Sequence, residues 1–296
     1  MFNLKTEIEK VSQNKKAIGH FNIANFEMLK AIFLAGQTFS QTKGEQISLI
    51  IGLSEGERKF IGARQVVPFI KSWGEENNYP VFVNADHCHS LESVKEACEA
   101  GFDSIVIDNS RFALEENIEK TKEIVAFVKV NYPSILLEGE LRAIGEHSAL
   151  LNNIPQEARI GEDQLTTAGE VFKFVEETGV DLVAPAVGNI HGMLKDSFNP
   201  DLDIERIKEI KEAVITPLVL HGGSGLKNRE IEEAILAGIV IVHISTELRK
   251  VYSSEVQNLA RDFFVSNPDE VAPHKIMEPV IVKLQQLVEK KLELFN

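Results

Sequence analysis

Histidines occur in this sequence at places where metal chemistry is possible. Five of the eight histidines end or follow short apolar runs, namely His87, His89, His191, His221 and His243. Imidazole is the commonest protein ligand for zinc, and a catalytic zinc site uses three protein ligands and one open position. A single histidine at such a place is more often a hydrogen-bonded structural residue. Three together on separate strands favour a metal site instead.

The stretch VFVNADHCHS, residues 81 to 90, changes abruptly from apolar to polar residues. Cys88 offers a soft metal ligand, but its side chain should point away from that of His87 because successive side chains of a strand alternate. We therefore interpret Cys88 as a small buried residue and His89 as a loop residue.

A glycine-rich turn follows His221 in the stretch LVLHGGSGL, residues 218 to 226. The glycines of this turn allow backbone amides to approach an anion, and Ser224 adds a hydroxyl near the start of a helix, where the dipole favours phosphate. An ordinary tight turn is the alternative for the glycines alone. Because His221 directly precedes the turn, we expect an anion site beside the metal.

Eight short β-rich runs recur along the chain, and each is followed by a segment with helical spacing of its apolar residues. The runs cover residues 17 to 23, 47 to 54, 79 to 86, 104 to 109, 134 to 141, 181 to 188, 217 to 223 and 239 to 245. Several are apolar without alternation, as in parallel strands covered on both faces. The pattern predicts an α/β fold, a (β/α)₈ TIM barrel in a single domain over residues 1 to 296, with an open doubly wound sheet as the alternative.

A barrel enzyme has its chemistry at the C-terminal ends of the strands. The eight runs bring these polar residues to one mouth: Asn22, Ser54, Asp86, His87, Asp108, Glu138, Glu140, Asn189, His191, His221, His243 and Ser245. The turns after strands seven and eight form the usual phosphate site of such barrels. The second of these turns contains Ser245 and Thr246.

Capping residues mark several helix ends. Ser90 is an expected N-cap, Thr167 and Glu170 make a capping box, and Gly101 and Gly179 stand where helices should end.

Two segments are additional to the eight β/α repeats. A long polar connection over residues 142 to 165 has the length of a lid or binding loop, and a final helix in residues 279 to 295 should pack on the barrel or on another subunit.

The composition argues against several classes of protein. The chain has 296 residues, 31 basic against 45 acidic, and its net charge of -14 would repel nucleic acid and anionic lipid over most of the surface. Cys88 and Cys98 form neither a CxxC pair nor a disulfide framework, so a reducing cytoplasm is the simplest compartment. The N-terminal residues lack the apolar core of a signal peptide, and the longest apolar run is too short to span a bilayer. We expect a cytoplasmic protein with neither nucleic acid nor a membrane as partner.

Taken together, the motifs resemble those of the class II, metal-dependent ketose-bisphosphate aldolases, the family of the fructose-bisphosphate and tagatose-bisphosphate aldolases. The likeness runs from residue 18 to the C-terminal helix. It depends on GHFNIANFE, SEGERKFIG, NADH, GFDSIVIDNS with EENI, EGEL, TGVDLVAPAVGNIHG, PLVLHGGSG and STELR. These motifs stand in family order and at family spacing, and their combination is specific although each motif alone is not.

The resemblance implies a divalent metal, normally Zn²⁺, on His87, His191 and His221, with Asp108 and Glu140 near an alternative metal position. It implies that Asp86 moves a proton to and from the hydroxyl at the cleaved bond. Phosphate of the ketose half, often beside a monovalent cation, is expected on Gly192, Gly222, Ser224, Ser245 and Thr246. The predicted substrate site is completed by Asn22, Ser54, Gly223 and His243. Relatives are usually homodimers or larger homo-oligomers, and we expect the same here.

The sequence departs from the family in the loop after the fifth strand and in the last strand. The family's loop glutamate, which exchanges the proton at the ketose carbon, falls on Ser148 without gaps, and Glu146 or His147 is the expected substitute. His243 stands in place of an asparagine. It could hydrogen-bond the enediolate or serve as an extra metal ligand, and we favour the hydrogen bond.

A third departure concerns the distal phosphate of a bisphosphate. His274 stands where relatives have an arginine, and Lys275 follows it. Lysine binds phosphate as a point charge, without the two parallel hydrogen bonds of arginine. Arg58 and Lys59 could supply positive charge from another direction, and ordinary solvated surface cations are the alternative for both.

These observations predict a lyase of carbohydrate metabolism, as in glycolysis. The expected reaction is reversible aldol cleavage of a ketose bisphosphate, with fructose 1,6-bisphosphate favoured, to dihydroxyacetone phosphate and glyceraldehyde 3-phosphate. Tagatose bisphosphate or another ketose phosphate is the nearest alternative. A metal-dependent hydrolase is disfavoured because no HxH pair ends the first strand, and the altered loop is the one feature that favours a phosphosugar-binding protein without catalysis.

Overall fold

The computed structural model describes residues 2–145, 148–154 and 164–296. Eight parallel strands close into a barrel in the order β1-β8-β7-β6-β5-β4-β3-β2, which confirms the predicted barrel over an open sheet. The barrel strands are β1 (Ile18–Asn22), β2 (Leu49–Ser54), β3 (Val81–Cys88), β4 (Ser104–Asp108), β5 (Leu136–Glu140), β6 (Leu182–Ala184), β7 (Leu218–Leu220) and β8 (Ile239–Ile244). Each predicted run contains or overlaps its strand, and only β3 extends beyond its run, to Cys88.

Helices follow every strand and cover the barrel. They are α1 (Leu4–Gln13), α2 (Phe26–Lys43), α3 (Glu55–Ile61), α4 (Ala63–Glu76), α5 (Leu91–Ala100), α6 (Leu114–Asn131), α7 (Ala168–Thr178), α8 (Ile204–Ala213), α9 (Asn228–Ala237), α10 (Thr246–Asn258), a π-helical turn (Leu259–Phe263), α11 (Phe264–Ser266), α12 (Pro273–Ile276) and α13 (Glu278–Phe295). Among the helices so described, none combines the length and apolar character needed to cross a membrane.

The predicted caps are present where they were expected. The Ser90 side chain accepts a hydrogen bond from Ser93 N, and Thr167 and Glu170 form a complete capping box. Gly101 and Gly179 end their helices in the left-handed conformation, with φ of 86° and 72°, which costs least for glycine.

Apolar side chains pack on both faces of the barrel strands, outside against the helices and inside at one end of the barrel. Between strands and helices lies the main core, which includes Phe21, Phe102 and Phe174. Inside the barrel, at the starts of the strands, Leu4 and Ile8 of α1 pack on a second cluster with Ile18, Ile50, Phe82, Leu182, Val219 and Ile241. Because α1 closes this end, solvent reaches the interior from the C-terminal ends of the strands.

The final helix α13 packs on the barrel, which is the first of the two placements expected from the sequence. It contacts α2 and α10, and it buries Val280, Leu284, Val288, Leu292 and Phe295. Phe295 O also accepts a hydrogen bond of 2.9 Å from Ala17 N, directly before β1. The helix thus fills the gap between the last and the first β/α units.

Candidate active site

The polar strand ends converge on one mouth, as predicted. A cavity of about 780 Å³ is lined by residues that include Asn22, Ser54, Asp86, His87, Asp108, His191 and Arg249. A smaller adjoining recess is lined by His221, Gly222, Ser224, His243, Ser245 and Thr246, together with Gly192. Nine of the twelve residues predicted for this mouth therefore line it, whereas Glu138, Glu140 and Asn189 are not among the lining residues.

The end of β3 is bent, so the side chains of the consecutive residues Asp86 and His87 both reach the cavity. The pairing between β3 and β4 shifts register between Ala85 and Cys88, and His87 adopts a positive φ of 50°. This conformation is uncommon for residues other than glycine and marks a constrained site. Asp86 and His87 both line the cavity, whereas Cys88 lies buried in the main core and the side chain of His89 is 46% exposed. The last two residues are placed as the sequence predicts.

Arg58 holds this bend in position. Its buried guanidinium donates to Leu53 O at 2.7 Å and to Asp86 O at 3.2 Å. It also donates to Cys88 Sγ at 3.3 Å and to Ser93 Oγ at 3.0 Å. Arg58 is therefore neither a solvated surface cation nor available to phosphate, because its donors are used inside the protein, and this corrects both expectations. Lys59 is exposed.

Replacing Arg58 should cost stability. We expect Arg58→Met to lower the free energy of unfolding by about 3 kcal/mol, because two buried carbonyl oxygens lose a charged donor. Urea denaturation measures this loss. Lys59→Met, the matched change one residue along the same helix, should alter stability by less than about 0.5 kcal/mol, and equal losses in the two variants would contradict the assigned contacts.

The three predicted metal ligands come together. One nitrogen from each of His87, His191 and His221 lies within 4.8 Å of the others. Glu138 Oε1 is 2.7 Å from His221 Nε2, so His221 Nδ1 is the nitrogen left for a metal. This buried Nδ1 has no hydrogen-bond partner among the described residues. Carboxylate support of the second nitrogen is the usual arrangement around a ligating histidine, so these residues fit a divalent metal.

The residues predicted to surround an alternative metal position also lie close together. Asp108 Oδ2 and Glu140 Oε2 lie 2.9 Å and 3.2 Å from His87 Nδ1, and these three residues form a second group of potential ligands. Burial and the charge of Asp108 raise the pKa of Glu140 to about 8. A cation bound in this position would replace the proton that burial otherwise favours on Glu140.

The histidines differ in protonation because their neighbours differ. Burial and the neighbouring His87 lower the pKa of His191 and of His221 to about 3, so both rings are neutral at pH 7. Burial also opposes the charged form of His87, but Asp86, Asp108 and Glu140 outweigh it and raise the pKa of His87 well above its usual value. Without metal, His87 therefore carries a proton at pH 7.

Metal binding should consequently release a proton. A ligating imidazole must be neutral, so Zn²⁺ loading of the metal-free protein at pH 7 should release about one proton from His87, and metal affinity should rise with pH until the folded-state pKa of His87 is passed. Calorimetry in two buffers of different ionisation enthalpy measures the release. Asp108→Asn should reduce it, whereas Asp103→Asn, at the opposite end of β4, should not. Release that is unchanged in Asp108→Asn would contradict this account.

Asp86 belongs to a hydrogen-bond chain that includes two residues not predicted from the sequence, Glu57 and Arg249. Asn22 Nδ2 donates to Asp86 Oδ2 at 2.8 Å and to Glu57 Oε2 at 3.1 Å. Arg249 Nη2 donates to Glu57 Oε1 at 2.6 Å, and its Nη1 donates to Ser148 O at 3.0 Å. Glu57 and Arg249 lie in the quoted motifs SEGERKFIG and STELR, but they are helix residues, which a search of strand ends does not reach.

Asp86 is ionised in this setting. Burial opposes its charge, but His87 and His243 outweigh burial and hold the pKa of Asp86 well below its ordinary value. Asp86 Oδ1 has no hydrogen-bond partner among the described residues by distance and angle, and it lies 3.5 Å from His243 Nδ1. One carboxylate oxygen is thus fixed by Asn22 while the other faces the site.

Three turns form the predicted phosphate-binding region. Gly222 has φ of 64°, and a Cβ there would lie 2.2 Å from Ile190 O, so the close approach of the two turns requires glycine. Ser224 Oγ accepts hydrogen bonds from Ser245 N and Glu247 N, each at 3.2 Å. Gly223 N donates to His243 O, so Gly223 joins the turns through its amide rather than offering it to an anion.

Two further contacts hold these turns, and neither was predicted. Asn199 Nδ2 donates at 2.9 Å to both Gly192 O and Ser224 O. Glu247 accepts from Gly225 N at 2.9 Å and from Lys291 Nζ of α13 at 2.9 Å. These hydrogen bonds hold the turns that are predicted to bind phosphate in position.

The remaining predicted residues lie at the cavity, away from it, or outside the described residues. Ser54 caps α3 and lines the cavity. His274 and Lys275 lie in α12, where Lys275 pairs with Glu270 at 3.2 Å, and neither is among the residues that line the described cavities. Glu146 and His147 fall outside the described residues, whereas Ser148 lines the mouth.

Comparison with known proteins agrees with this geometry. The family model described as fructose-bisphosphate aldolase class-II matches residues 2–296. A fructose-bisphosphate aldolase of Geobacillus stearothermophilus is 31% identical over 282 residues, which cover 94% of this chain and 91% of that protein. One of Helicobacter pylori is 31% identical over 301 residues, with coverage of 94% and 92%. The crystal structure of the YdjI aldolase from Escherichia coli K12 matches with a TM-score of 0.80 and 28% identity, over 99% of this chain and 97% of that one. Because the family model matches nearly the whole chain and these relatives are 31% identical over 94% of it, this chain belongs to the class II fructose-bisphosphate aldolase family.

Proposed function

We propose that this chain catalyses the reversible aldol cleavage of fructose 1,6-bisphosphate to dihydroxyacetone phosphate and glyceraldehyde 3-phosphate. The proposal is supported by three histidines that lie close enough to share a metal, with Asp86 and the glycine-rich turn at Gly222 beside them. Tagatose 1,6-bisphosphate is the nearest rival, since it differs in configuration at one carbon.

His87, His191 and His221 would hold the metal, which we propose to be Zn²⁺. When bound, it supplies Lewis-acid stabilisation of the negative charge that develops on the ketose oxygens. Glu138 orients His221 by its contact of 2.7 Å. The bend at the end of β3, which Arg58 holds, sets the direction of the His87 side chain.

Asp86 is suited to move the proton of the reaction. In the cleavage direction, its free Oδ1 takes the proton of the hydroxyl at the cleaved bond. The O–H electrons then form the aldehyde C=O, and the electrons of the breaking C–C bond pass to the ketose half. Asn22 keeps Asp86 Oδ2 in place at 2.8 Å, so the same carboxylate can return the proton in the reverse reaction.

The phosphate of the ketose half fits the turns that contain Gly192, Gly222 and Ser224, with Ser245 and Thr246 from the next loop. Arg249 is the cation we propose for the distal phosphate. It lines the larger cavity and its side chain is 38% exposed. His274 and Lys275 offer no comparable placement, so the role expected of that region passes to Arg249.

Glu146 is still the residue that we predict to exchange the proton at the ketose carbon. Glu146→Ala should lower kcat about 100-fold and leave Zn²⁺ content unchanged, because a general base contributes about 10²- to 10⁴-fold. His147→Ala is the matched neighbouring change. Full turnover in Glu146→Ala would exclude Glu146 from this role.

We also propose a location, an assembly state and a further ion. A cytoplasmic location agrees with the two free cysteines. A homodimer or larger homo-oligomer, a single domain over residues 1 to 296, and a monovalent cation beside the phosphate follow from the family resemblance.

A coupled assay for dihydroxyacetone phosphate, with and without chelator, tests the function. We expect cleavage of fructose 1,6-bisphosphate that chelator abolishes and Zn²⁺ restores. Activity that survives complete metal removal would exclude the metal-dependent mechanism. Metal and phosphosugar binding without cleavage of either bisphosphate would favour a binding protein, and release of inorganic phosphate would favour a hydrolase.

A further inference from the structure

A column of three imidazoles extends inward from the metal ligands, and its innermost member has no role in the proposed reaction. His221 stacks on His243 with ring centroids 4.1 Å apart, and His243 stacks on His20 at 3.5 Å with an interplanar angle of 5°. His20 on β1 and His243 on β8 are direct partners in the barrel register. His20 is completely buried.

The barrel is built to accommodate this ring. A Cβ at Gly52 of β2 would lie 2.1 Å from His20 Cε1, so the imidazole occupies the volume that any other residue at position 52 would fill. His20 Nε2 lies 3.1 Å from Asn84 Oδ1, and Asn84 Nδ2 donates to Ser104 Oγ at 2.8 Å. His20 is thus fixed from β2 and β3 while its face covers His243.

A second metal site is the obvious alternative, because His20, Asp86 and His243 offer potential ligand atoms close together. A metal ion lies in the plane of each imidazole that binds it, along the nitrogen lone pair. Two rings stacked at 3.5 Å and nearly parallel share no such position. The geometry therefore favours packing between these rings over chelation.

We propose that His20 is a positioning residue that holds the His243 ring beside Asp86 Oδ1. With His221 on one face and His20 on the other, the ring of His243 can neither tilt nor flip out. Its Nδ1 stays 3.5 Å from the carboxylate oxygen to which we assign proton transfer. This inference depends on the proposed function for its catalytic consequence but not for its structural one.

The structural consequence is tested first, on the full-length metal-loaded protein. In a crystal structure of His20→Ala, we expect the His243 ring to leave its position beside Asp86, with the metal ligands unmoved. A ring that stays in place would overturn the proposal whether or not the protein is an aldolase. Absence of aldolase activity in the wild-type protein, with the ring displaced in His20→Ala, would instead count against the proposed function alone.

The kinetic consequence is tested by two double-mutant cycles. His20→Ala should lower kcat about tenfold and change KM less than about twofold, since an interaction that aids only the chemical step acts on kcat. In a His243→Asn background, His20→Ala should have almost no further effect, because residues that act through one another are not additive. Fully additive losses in kcat would overturn the proposal.

Gly52 supplies the second cycle. Gly52→Ala should displace His20 and reproduce the loss in kcat, whereas adding Gly52→Ala to His20→Ala should cost nothing further. Ile18→Ala is the matched control, because Ile18 lies on the same face of β1, one layer deeper in the barrel. It should lower the melting temperature at least as much as His20→Ala while kcat stays within about twofold. An equal loss of kcat in Ile18→Ala would reduce His20 to a structural residue.

Discussion

His87→Ala should abolish both metal content and turnover. His87 belongs to the group of three histidines that could hold a metal and to the alternative group with Asp108 and Glu140, so its loss leaves neither position complete. We expect zinc bound at well below one equivalent and a fall in kcat of more than about 10³-fold, because the charge on the ketose oxygens is then unopposed. Elemental analysis and the coupled assay measure the two effects on the same sample.

His89→Ala is the matched control for this change. It removes an imidazole two residues away whose side chain is 46% exposed and which belongs to no group of metal-binding residues found in the described structure. Metal content and kcat should stay near the wild-type values. If His87→Ala kept a full equivalent of zinc and normal turnover, the assigned metal centre would be wrong.

Asp86→Asn should separate metal binding from catalysis. The amide preserves the shape of the side chain but cannot accept a proton, so we expect kcat to fall about 10³-fold, within the range that general acid–base groups contribute. The three histidines are intact, and zinc content should stay at one equivalent. The pair of measurements distinguishes a proton-transfer residue from a ligand.

Asp103→Asn provides the comparison. Asp103 directly precedes β4, where it pairs with Lys71 at 2.7 Å and accepts from Val83 N at 2.8 Å. Its replacement should lower stability without lowering kcat. Cleavage at the wild-type rate by Asp86→Asn would remove Asp86 from the mechanism.

Much of the fold followed from the sequence because its signals are local. Apolar runs of five to eight residues give strands when both faces are buried, and the capping side chains Ser90 and Thr167 mark helix starts by bonding to amides three residues on. The site followed from one general rule, that polar residues at the strand ends of a barrel meet at its mouth.

Other features depend on tertiary contacts and could not be predicted in this way. The bend that turns His87 toward the cavity is held by the buried guanidinium of Arg58. Glu57 and Arg249 enter the site from helices, and Asn199 comes from a loop between β6 and α8. The stacking of His20 on His243 requires the exact closure of β1 against β8, which no local pattern encodes.

The contact between α13 and the phosphate turn has a consequence for the order of biosynthesis. Lys291 holds Glu247, which in turn holds Gly225 N, and Phe295 meets the residue before β1. Residues of the first strand are therefore translated long before their packing partner exists. While the nascent chain is still attached to the ribosome, segments already translated can fold, but the contact between Lys291 and Glu247 forms only after α13 has left the exit tunnel. The predicted phosphate turn therefore gains this support later than the strands that carry it.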